Sequence, residues 1–393
     1  MKLEQAVILA GGRGLRMRPL TDQLPKPMIQ VAGKPFLEHL LESLKREGVK
    51  EVLLLLGYLA EHIQEHFEDG SRFGLKISYS VLPEEFDTGA RIHAAVGKIA
   101  PHFLLLYCDN YWPLQLKPMV ESYLRHQCKG QITVYQNRDN FTKHNLLLDG
   151  RDFVINYDKT RKRPGLSGVD IGYGIFDSSI LSLLTDENTN FESLVYPMLV
   201  ENRQLAAFKT HHRYYSIGSL DRLPVTDQYF RNTKVILLDR DGVLNEKAKK
   251  ADYIKSWSEF RWKRGAREAL VYLKKNGFSV FVISNQAGIN RGIMSQGDVD
   301  QIHSLMQRDL SSLGSGIDKF YICPHHWEEN CECRKPKAGL LFQAQRENHF
   351  DLTKTYFIGD DLRDVEAANH AGCLSKLIKE DESLLDMVRT IEV

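Results

Sequence analysis

The 393-residue sequence predicts an α/β protein of two domains, each built on a parallel sheet covered by helices. Near-continuous apolar runs, such as those at 6–10, 52–56, 103–108 and 235–239, alternate with helix-like segments along the whole chain. This alternation is typical of parallel strands that are joined by helices. The chain is also longer than one hydrophobic core usually serves, so two domains are expected.

The elements follow one another in the same way in both halves. Two amphipathic stretches, 36–48 and 266–277, each end on a glycine, as a helix C-cap does. The polar segment DQYFRNTK at 227–234 separates the halves, and the strand–helix pattern restarts at Val235. We therefore expect Rossmann-like domains at 1–230 and 233–393, with ligands at the carboxyl ends of their strands.

Composition limits the classes of function. Hydrophobic residues make up 42% and charged residues 26% of the chain, which is ordinary for globular domains. The formal net charge of +1 gives no overall field that would attract nucleic acid or a membrane. No apolar run approaches the ~20 residues that cross a bilayer, and the N-terminus lacks a signal-peptide pattern. We expect a cytoplasmic protein with small-molecule partners; whether it forms a homo-oligomer is left open.

The first strand runs into a glycine-rich loop, GGRGLRMRPLTDQLPKPM at 11–28. Gly11, Gly12 and Gly14 allow a backbone to approach a phosphate chain closely, with N–H groups directed at its oxygens. Arg16 and Lys26 add the positive charge that a phosphoryl-transfer site needs. The loop lacks the Gly-Lys-Ser/Thr of a Walker A loop, and taken alone it is also compatible with a tight turn.

A longer string of motifs is more specific. GGxGxR, PLT, PKPM and GKP, continued by LGYLAEHIQEHF and ISYSVLPEEFDTGARIHAA, resemble the sugar 1-phosphate nucleotidyltransferases over residues 5–225. Within that family the chain looks most like the heptose 1-phosphate guanylyltransferases. The resemblance implies a GT-A-like fold and attack of a sugar phosphate on a nucleoside triphosphate, with release of pyrophosphate. It implies that Gly11, Gly12 and Gly14 bind the nucleotide phosphates and that Arg16 and Lys26 stabilise the transition state. Glu84 or Glu85, with Thr88 and Gly89, would contact the base and the sugar. Asp109 would bind Mg²⁺, and Lys159 would contact the sugar phosphate.

Four positions depart from that family pattern. Leu15 replaces a threonine, while Asp87 and Cys108 replace glycines. Ser216 replaces the aspartate that supplies a second metal carboxylate. Because a hydroxyl is a far weaker Mg²⁺ ligand than a carboxylate, an N-terminal domain that binds ligands without catalysis is an alternative.

The second domain opens with VILLDRDGVLN, which places Asp239 and Asp241 one residue apart at the end of a strand. Residues i and i+2 of a strand face the same side, so both carboxylates can lie at the rim of one pocket. Two close carboxylates stay ionised at neutral pH when a cation lies between them, which predicts a Mg²⁺ site. One aspartate can attack phosphorus while the other transfers protons. The sequence DxDG alone is also common in β-turns.

Three later motifs complete a pattern. Ser284 and Asn285 end the strand FVISN, CRKPKAG contains Arg334 and Lys335, and Asp360 ends TYFIGD. In this order they resemble the haloacid dehalogenase-like (HAD-like) phosphatases. The resemblance implies Asp239 as nucleophile, Asp241 as general acid and base, Ser284 and Lys335 as phosphoryl ligands, Asn285 and Arg334 as substrate ligands, and Mg²⁺ on Asp239, Asp360 and the Asp241 carbonyl. Asp364 either steadies the metal or only starts a helix.

The segment CPHHWEENCEC offers three thiols and an imidazole, from Cys323, His325, Cys331 and Cys333. This set closes a tetrahedral Zn²⁺ site with no open position, so we expect a structural ion. The last ligand directly precedes Arg334 and Lys335, and the zinc would therefore orient the phosphate-binding lysine. His326 is the alternative ligand to His325, and unpaired thiols favour a reducing compartment.

The zinc loop resembles a branch of HAD-like phosphatases that contains heptose 1,7-bisphosphate 7-phosphatases and histidinol-phosphatases. SNQAGINRG and CRKPKAG resemble the heptose enzymes, and the absence of long insertions predicts a site without a large cap domain. Removal of the 7-phosphate yields heptose 1-phosphate, which the other half would consume. We therefore expect a bifunctional enzyme of surface-glycan precursor synthesis. A phosphatase with a binding-only N-terminal domain and a histidinol-phosphatase are the alternatives.

Overall fold

The structure is a computed structural model that describes residues 1–249 and 252–391. The chain divides into two compact units, Met1–Phe230 and Arg231–Val393. Within the described ranges, no helix is both long and apolar enough to cross a membrane.

The N-terminal unit is an α/β unit. Its strands are β1 (Gln5–Ala10), β2 (Gln30–Val31), β3 (Lys34–Pro35), β4 (Glu51–Leu56), β5 (Lys76–Val81), β6 (His102–Tyr107), β7 (Asn110–Tyr111), β8 (Gly130–Tyr135), β9 (Leu146–Leu148), β10 (Val154–Tyr157), β11 (Val169–Asp177), β12 (Leu205–Thr210) and β13 (Tyr215–Ser216). Its helices are α1 (Phe36–Arg46), α2 (Ala60–Phe67), α3 (Thr88–Ala94), α4 (Leu116–His126), α5 (Phe191–Glu201) and α6 (Leu223–Arg231), which runs one residue past the unit boundary.

Its main sheet has seven strands in the order β12-β8-β11-β6-β1-β4-β5. Strand β11 is antiparallel to β6 and β8, and the other neighbours are parallel. The central strand β1 is buried on both faces: Val7 and Leu9 pack into one core, and Ile8 and Ala10 into the other. This explains why the AVILA run is apolar throughout rather than alternating.

The C-terminal unit is a simpler α/β unit. Its strands are β14 (Val235–Leu238), β15 (Ser279–Asn285), β16 (Lys319–Cys323), β17 (Tyr356–Gly359) and β18 (Leu374–Leu377). Its helices are α7 (Ala266–Lys275), α8 (Gln296–Ser311), α9 (Gly339–Asn348), α10 (Leu362–Ala371) and α11 (Leu384–Arg389). The five strands form one parallel sheet in the order β16-β15-β14-β17-β18.

This strand order brings the sequence motifs to one edge of the sheet. Asp239 directly follows the central strand β14, Ser284 lies at the end of β15, and Asp360 directly follows β17. Because β15 and β17 flank β14, the three side chains start from neighbouring strand ends. The described residues between β14 and α7 form no helix and no extended strand, in keeping with the expected capless site. The predicted α/β class with two sheet-based units is confirmed.

Candidate active sites

In the N-terminal unit the glycine-rich loop lies beside the end of β6. The Nζ of Lys26 is 2.5 Å from the Oδ2 of Asp109, and Gly14 adopts φ 66°, a left-handed conformation that favours glycine. A cavity of about 450 Å³ opens here. Of the predicted nucleotide-site residues it is lined by Gly11, Gly12, Gly14, Arg16, Lys26, Thr88 and Asp109. The structure thus brings together residues that lie almost 100 positions apart.

Arg91, which sequence reasoning missed, supports this loop from behind. It is 4% exposed and donates hydrogen bonds to the carbonyl oxygens of Leu56, Leu82 and Pro83 at 2.5, 3.0 and 2.7 Å. A Cβ atom at Gly11 would lie 2.4 Å from the Arg91 Cζ, so only glycine fits beside the guanidinium. The signal in the sequence was a charged residue that directly follows Gly89 and Ala90, both of which are also buried.

The residues predicted to contact base and sugar are held in different ways. Glu84 pairs with Arg13, whose Nε lies 2.8 Å from the Oε2 of Glu84, and neither Glu84 nor Glu85 lines the cavity. The Thr88 hydroxyl accepts a hydrogen bond from the Phe191 N–H at 2.9 Å. A Cβ at Gly89 would lie 2.6 Å from the Thr189 carbonyl oxygen, so this close approach also requires glycine.

Lys159 belongs to a polar group on α5 and the neighbouring strands. Its Nζ donates to the Oδ1 of Asn190 at 2.6 Å and lies 3.0 Å from the Oε2 of Glu192. Nearby in β11, Asp170 accepts hydrogen bonds from the Gly172 N–H at 2.9 Å and from the Tyr157 hydroxyl at 3.3 Å. Burial, aided by the charge of Glu192, raises the pKa of Asp170 to about 7. Sequence reasoning did not identify this buried acid.

Ser216, the departure from the family pattern, lies directly beside Asp109. Strand β13 pairs with β7, so Ser216 is opposite Asn110. The Ser216 hydroxyl donates to the Asp109 carbonyl oxygen at 3.0 Å and accepts from the Gly218 N–H at 2.9 Å. The hydroxyl is therefore engaged with the backbone, and the donor set is one carboxylate that is already paired with Lys26. These residues do not fit a metal site formed by the protein alone, and Asp109 as a Mg²⁺ ligand stays a prediction.

In the C-terminal unit Asp239 and Lys335 form a buried ion pair. The Lys335 Nζ lies 2.9 Å from the Oδ2 of Asp239 and 2.7 Å from the Oδ1 of Asp364, and it donates to the Ile283 carbonyl oxygen at 2.9 Å. Burial lowers the pKa of Lys335, but the two carboxylates outweigh it and hold the pKa above its ordinary value. Burial raises the pKa of Asp239 to about 7 although Lys335 opposes the change. A cation held beside Asp239 would favour the ionised form.

Asp360 faces the same space. Carboxylate oxygens of Asp239, Asp360 and Asp364 all lie within 4.8 Å of one another. The Oδ1 of Asp360 is buried and has no hydrogen-bond partner in the described part of the chain, whereas its Oδ2 contacts the Lys247 ammonium. A Cβ at Gly242 would lie 2.0 Å from that Oδ2, so the glycine of DRDG leaves room for the carboxylate. Three converging carboxylates with an unpartnered buried oxygen fit a hard divalent cation.

Asp364 starts helix α10 and also contacts the lysine of the site, while a role in steadying the metal stays a prediction. Its Oδ2 accepts hydrogen bonds from the backbone N–H groups of Asp360 and Asp361 at 3.2 and 3.1 Å, as part of a capping box at the start of α10. Its Oδ1 pairs with Lys335. The residue that starts the helix thus also fixes the lysine of the site.

Asp241 is held separately from Asp239. Arg240 donates to both of its carboxylate oxygens, Asn245 donates to Oδ1 at 2.9 Å, and Gln286 donates to Oδ2 at 2.7 Å. Burial raises the pKa of Asp241, but Arg240 and these amides outweigh it and hold the pKa below its ordinary value. Gln286 also donates to the Ser284 hydroxyl at 2.9 Å. Sequence reasoning missed these three donors, although all lie within the DRDGVLN and SNQ motifs.

The side chain of Asn285 is joined to the backbone of Lys335. The Asn285 side chain donates to the Lys335 carbonyl oxygen and accepts from the Lys335 N–H, both at 3.1 Å. This pairing ties the end of β15 to the motif that follows the cysteine loop. Asn285 therefore positions the lysine, and it also lines the cavity together with Arg334.

The four predicted zinc ligands converge. Donor atoms of Cys323, His325, Cys331 and Cys333 all lie within 4.8 Å of one another, and the Nδ1 of His325 is 3.1 Å from the Cys333 sulfur. His326 instead stacks on Trp327 with ring centroids 3.7 Å apart. Three thiols and one imidazole fit a closed zinc site. The arrangement selects His325 over His326 as the candidate ligand.

The cavity above Asp239 measures about 680 Å³, and the more exposed part of its lining, here called the mouth, carries basic residues together with Asp252 and Asp361. Lys247 and Arg363 are paired with Asp360 and Asp361. Arg291 instead lies over the rings of Tyr253 and Trp327, at 5.8 and 5.4 Å. The mouth residues that form no ion pair among the described residues are Lys249, Arg291 and Arg334. A ligand with a second anionic group, distant from Asp239, suits this surface.

Comparison with known proteins follows the division into two units. The Nucleotidyl transferase family model matches residues 5–143, and the HAD-hydrolase-like family model matches residues 332–391. A crystal structure of HddC from Yersinia pseudotuberculosis is 28% identical, with a TM-score of 0.52, and covers 58% of this chain and 100% of that chain. The same protein has been solved in complex with GMP-PN. The fold and the two sites define a nucleotidyltransferase fused to a HAD-like phosphatase.

Curated relatives specify the phosphatase. D-glycero-beta-D-manno-heptose-1,7-bisphosphate 7-phosphatase from Photorhabdus laumondii is 36% identical over 150 residues, which are 36% of this chain and 78% of that protein. D-glycero-alpha-D-manno-heptose-1,7-bisphosphate 7-phosphatase from Mycobacterium bovis is 39% identical over 136 residues, 34% of this chain and 71% of that protein. The chain belongs to the family of D-glycero-D-manno-heptose-1,7-bisphosphate 7-phosphatases, here combined with a nucleotidyltransferase unit.

Proposed function

We propose that the protein catalyses two consecutive reactions of nucleotide-activated heptose synthesis. The C-terminal unit removes the 7-phosphate of D-glycero-D-manno-heptose 1,7-bisphosphate. The N-terminal unit transfers a guanylyl group from GTP to the resulting heptose 1-phosphate. The observation that carries the proposal is the convergence of Asp239, Lys335 and Asp360 below a mouth with three basic side chains that form no ion pair within residues 1–249 and 252–391.

The phosphatase reaction follows from the roles that this geometry allows. A carboxylate oxygen of Asp239 attacks phosphorus, and the bond from phosphorus to the sugar oxygen breaks. Asp241, which takes up a proton from water when the anionic phosphate binds beside it, gives that proton to the departing sugar oxygen, then takes a proton from the water that hydrolyses the aspartyl-phosphate. Lys335 and the Ser284 hydroxyl bind the phosphoryl oxygens. Asp239, Asp360 and the Asp241 carbonyl oxygen would hold Mg²⁺, which would supply the positive charge that lets two anions approach each other.

The cations at the mouth favour a bisphosphate over histidinol phosphate. Lys249, Arg291 and Arg334 can receive the 1-phosphate of the heptose substrate. Histidinol phosphate carries an ammonium group at the corresponding end, which these side chains would repel. The relatives with the alpha and the beta anomer in their names leave both anomers as candidate substrates.

The test of the phosphatase is phosphate release from both heptose bisphosphate anomers and from histidinol phosphate, with Mg²⁺. We expect turnover of a heptose bisphosphate and a product that retains the 1-phosphate by mass. Faster turnover of histidinol phosphate would overturn the substrate assignment. An R291Q variant should raise KM for the bisphosphate more than KM for a simple monoester such as p-nitrophenyl phosphate, since only the bisphosphate has a second anion.

For the N-terminal unit, the glycine loop with Arg16 and Lys26 supports binding of a triphosphate, and the HddC complex with GMP-PN supports guanine. The oxygen of heptose 1-phosphate attacks the α-phosphorus of GTP, the bond to the β-phosphate oxygen breaks, and pyrophosphate leaves. Arg16 and Lys26 stabilise the charge that develops on the phosphoryl oxygens. Ser216 favours a second candidate, a unit that binds nucleotide without transferring it.

Pyrophosphate release separates these two candidates. The protein is incubated with heptose 1-phosphate and each of the four nucleoside triphosphates, and products are identified by mass. A GDP-heptose product supports the transfer reaction. Binding of GMP-PN by calorimetry without any pyrophosphate release would instead establish the binding-only unit.

We also infer that the protein works in the cytoplasm. All six cysteines are free in the structure, and four zinc ligands that include three thiols persist best in a reducing compartment. Zinc content after aerobic and anaerobic purification tests this proposal: similar zinc content under both conditions would contradict it.

A further inference from the structure

The side chain of Arg240, between the two aspartates of DRDG, is fully buried at 0% exposure. Its Nη2 lies 3.0 Å from each oxygen of Asp241, and its Nε lies 3.3 Å from Oδ1. A buried guanidinium is costly unless an anion compensates it. The compensating anion is the side chain of the next residue, Asp241.

Arg240 is itself fixed from several sides. Its carbonyl oxygen accepts hydrogen bonds from the N–H groups of Leu244 and Asn245 at 2.9 and 3.1 Å, which close the turn after β14. Its Nη1 lies 3.4 Å from the Nε2 of His303, and the His303 ring stacks on Phe320 with centroids 3.9 Å apart. The guanidinium therefore cannot follow a moving carboxylate; it defines where the carboxylate lies.

The neighbouring amides are also organised around Asp241. Asn245 and Gln286 both direct their NH₂ groups at its carboxylate. Among the described residues, the side-chain carbonyl oxygens of Asn245 and Gln286 are buried without a hydrogen-bond partner. An unpaired buried acceptor is unfavourable, and the hydrogen bonds to Asp241 help to offset this cost.

Asp239, one residue earlier, uses a different cation. Its Oδ2 pairs with Lys335, and its contact with Arg240 is only through the backbone N–H, at 2.7 Å from Oδ1. The two carboxylates thus have separate partners: a lysine for the nucleophile and an arginine fork for the proton-transferring acid. A fork fixes both oxygens of a carboxylate, which a lysine ammonium does not do.

We propose that Arg240 is a positioning residue of the phosphatase, which acts through Asp241 by fixing the orientation of its carboxylate for both proton transfers. The proposal rests on the proposed roles of Asp239 and Asp241. Arg240 is not among the residues that line the cavity. Its removal should affect the chemical step rather than substrate binding.

The test is a double-mutant cycle in the full-length protein, with phosphate release measured from heptose bisphosphate and from p-nitrophenyl phosphate. The variants are R240Q, R240K, D241N and R240Q/D241N, and the surface substitution R267Q is the matched control. We expect R240Q to lower kcat by about 10²-fold, as loss of a general acid–base function does, with KM changed less than about 3-fold. R240K should recover part of the loss.

The cycle decides whether Arg240 acts through Asp241. In the D241N background, R240Q should lower the residual rate by less than about 2-fold, because the group it positions is already gone. An equal loss in both backgrounds, or a wild-type rate for R240Q, would overturn the proposal. Where R240Q does not fold, as judged by its melting temperature and zinc content, the same cycle is run with R240K, which keeps the charge but loses the fork, and the same two outcomes decide.

Measurements with the two substrates distinguish a failure of the Arg240 proposal from a failure of the proposed substrate. If the wild-type protein hydrolyses p-nitrophenyl phosphate but neither heptose bisphosphate anomer, the proposed substrate is wrong while the cycle still tests Arg240. If heptose bisphosphate is hydrolysed and the cycle is additive, the substrate stands and the Arg240 proposal fails.

Discussion

The two units each place an aspartate and a lysine side by side where a strand of the main sheet ends, yet they surround the pair differently. In the N-terminal unit Asp109 pairs with Lys26, and the adjacent Ser216 is bound to the backbone. In the C-terminal unit Asp239 pairs with Lys335, and two more carboxylates, Asp360 and Asp364, converge on it. Only the second set has enough anionic oxygens to hold a divalent cation by itself.

The difference shows that the position of a residue at a strand end and the chemistry of its side chain contribute separately to what a site can bind. Both sheets bring distant residues to one edge, as open α/β sheets do. What the edge then binds depends on the number of carboxylates and on how many are already neutralised by fixed cations. The following experiments test this contrast, in order of decreasing expected effect.

The largest effect is expected from D239N. Removal of the nucleophile should lower phosphate release from heptose bisphosphate by on the order of 10⁴-fold or more, because no other group can form the aspartyl-phosphate. Pyrophosphate release by the N-terminal unit with added heptose 1-phosphate should stay within about 2-fold of wild type. Loss of both activities would show that the two units do not act as separate sites.

Loss of zinc should lower the phosphatase activity and leave the activity of the N-terminal unit unchanged. The cysteine loop ends at Cys333, next to Arg334 and Lys335, so C333S should misplace the lysine and lower kcat by about 10- to 100-fold. Zinc content by atomic absorption should fall in parallel, while C373S, which alters a buried cysteine outside the cluster, should retain zinc. Full phosphatase activity in zinc-free C333S would refute a role for the loop in placing Lys335.

The S216D substitution should make the donor set of the N-terminal site more similar to that of the C-terminal site. A second carboxylate beside Asp109 should raise Mn²⁺ affinity by about 10-fold or more, measured by electron paramagnetic resonance in a D360N background that weakens the other site. S216N, similar in size but neutral, is the control. Equal Mn²⁺ binding by wild type, S216N and S216D would show that the carboxylate count does not limit this site.

The smallest effect is expected from D170N. Asp170 is a buried carboxylate that accepts hydrogen bonds from Gly172 and Tyr157 rather than from an arginine. Folding raises the pKa of Asp170 to about 7, above the ordinary 3.8, so the folded state binds the proton more tightly and wild-type stability falls as pH rises from about 4 to 7. D170N removes this cost, and its melting temperature relative to wild type should therefore increase from pH 5 to pH 8.

Asp177, on the same strand, provides the opposite case. Burial raises its pKa, but hydrogen bonds from Ser179 outweigh that effect and the net pKa is lowered. Its stabilisation is present above the unfolded pKa and lost as pH falls. D177N should thus be less stable than wild type at pH 8 and similar to it at low pH.

For D170N, a difference in melting temperature from wild type that does not change with pH would show that Asp170 is ionised throughout this pH range.

The sequence by itself determined the α/β class, the two-unit organisation seen in its restart at Val235, and the residue types at each strand end. These features are local: an apolar run buried on both faces, a glycine where φ is positive, and aspartates that directly follow a strand. The spacing of Cys323, His325, Cys331 and Cys333 likewise predicted a cluster that the structure brings within 4.8 Å.

Only the tertiary structure decided which charges neutralise one another. The sequence could not show that Lys26 pairs with Asp109, that Arg91 fills the space behind Gly11, or that Arg240 turns inward to Asp241 while Lys335 takes Asp239. These pairings join residues that are distant in the chain or turn neighbouring residues in different directions. They follow from burial, because a charge removed from water must find a partner in the space that the packed fold leaves.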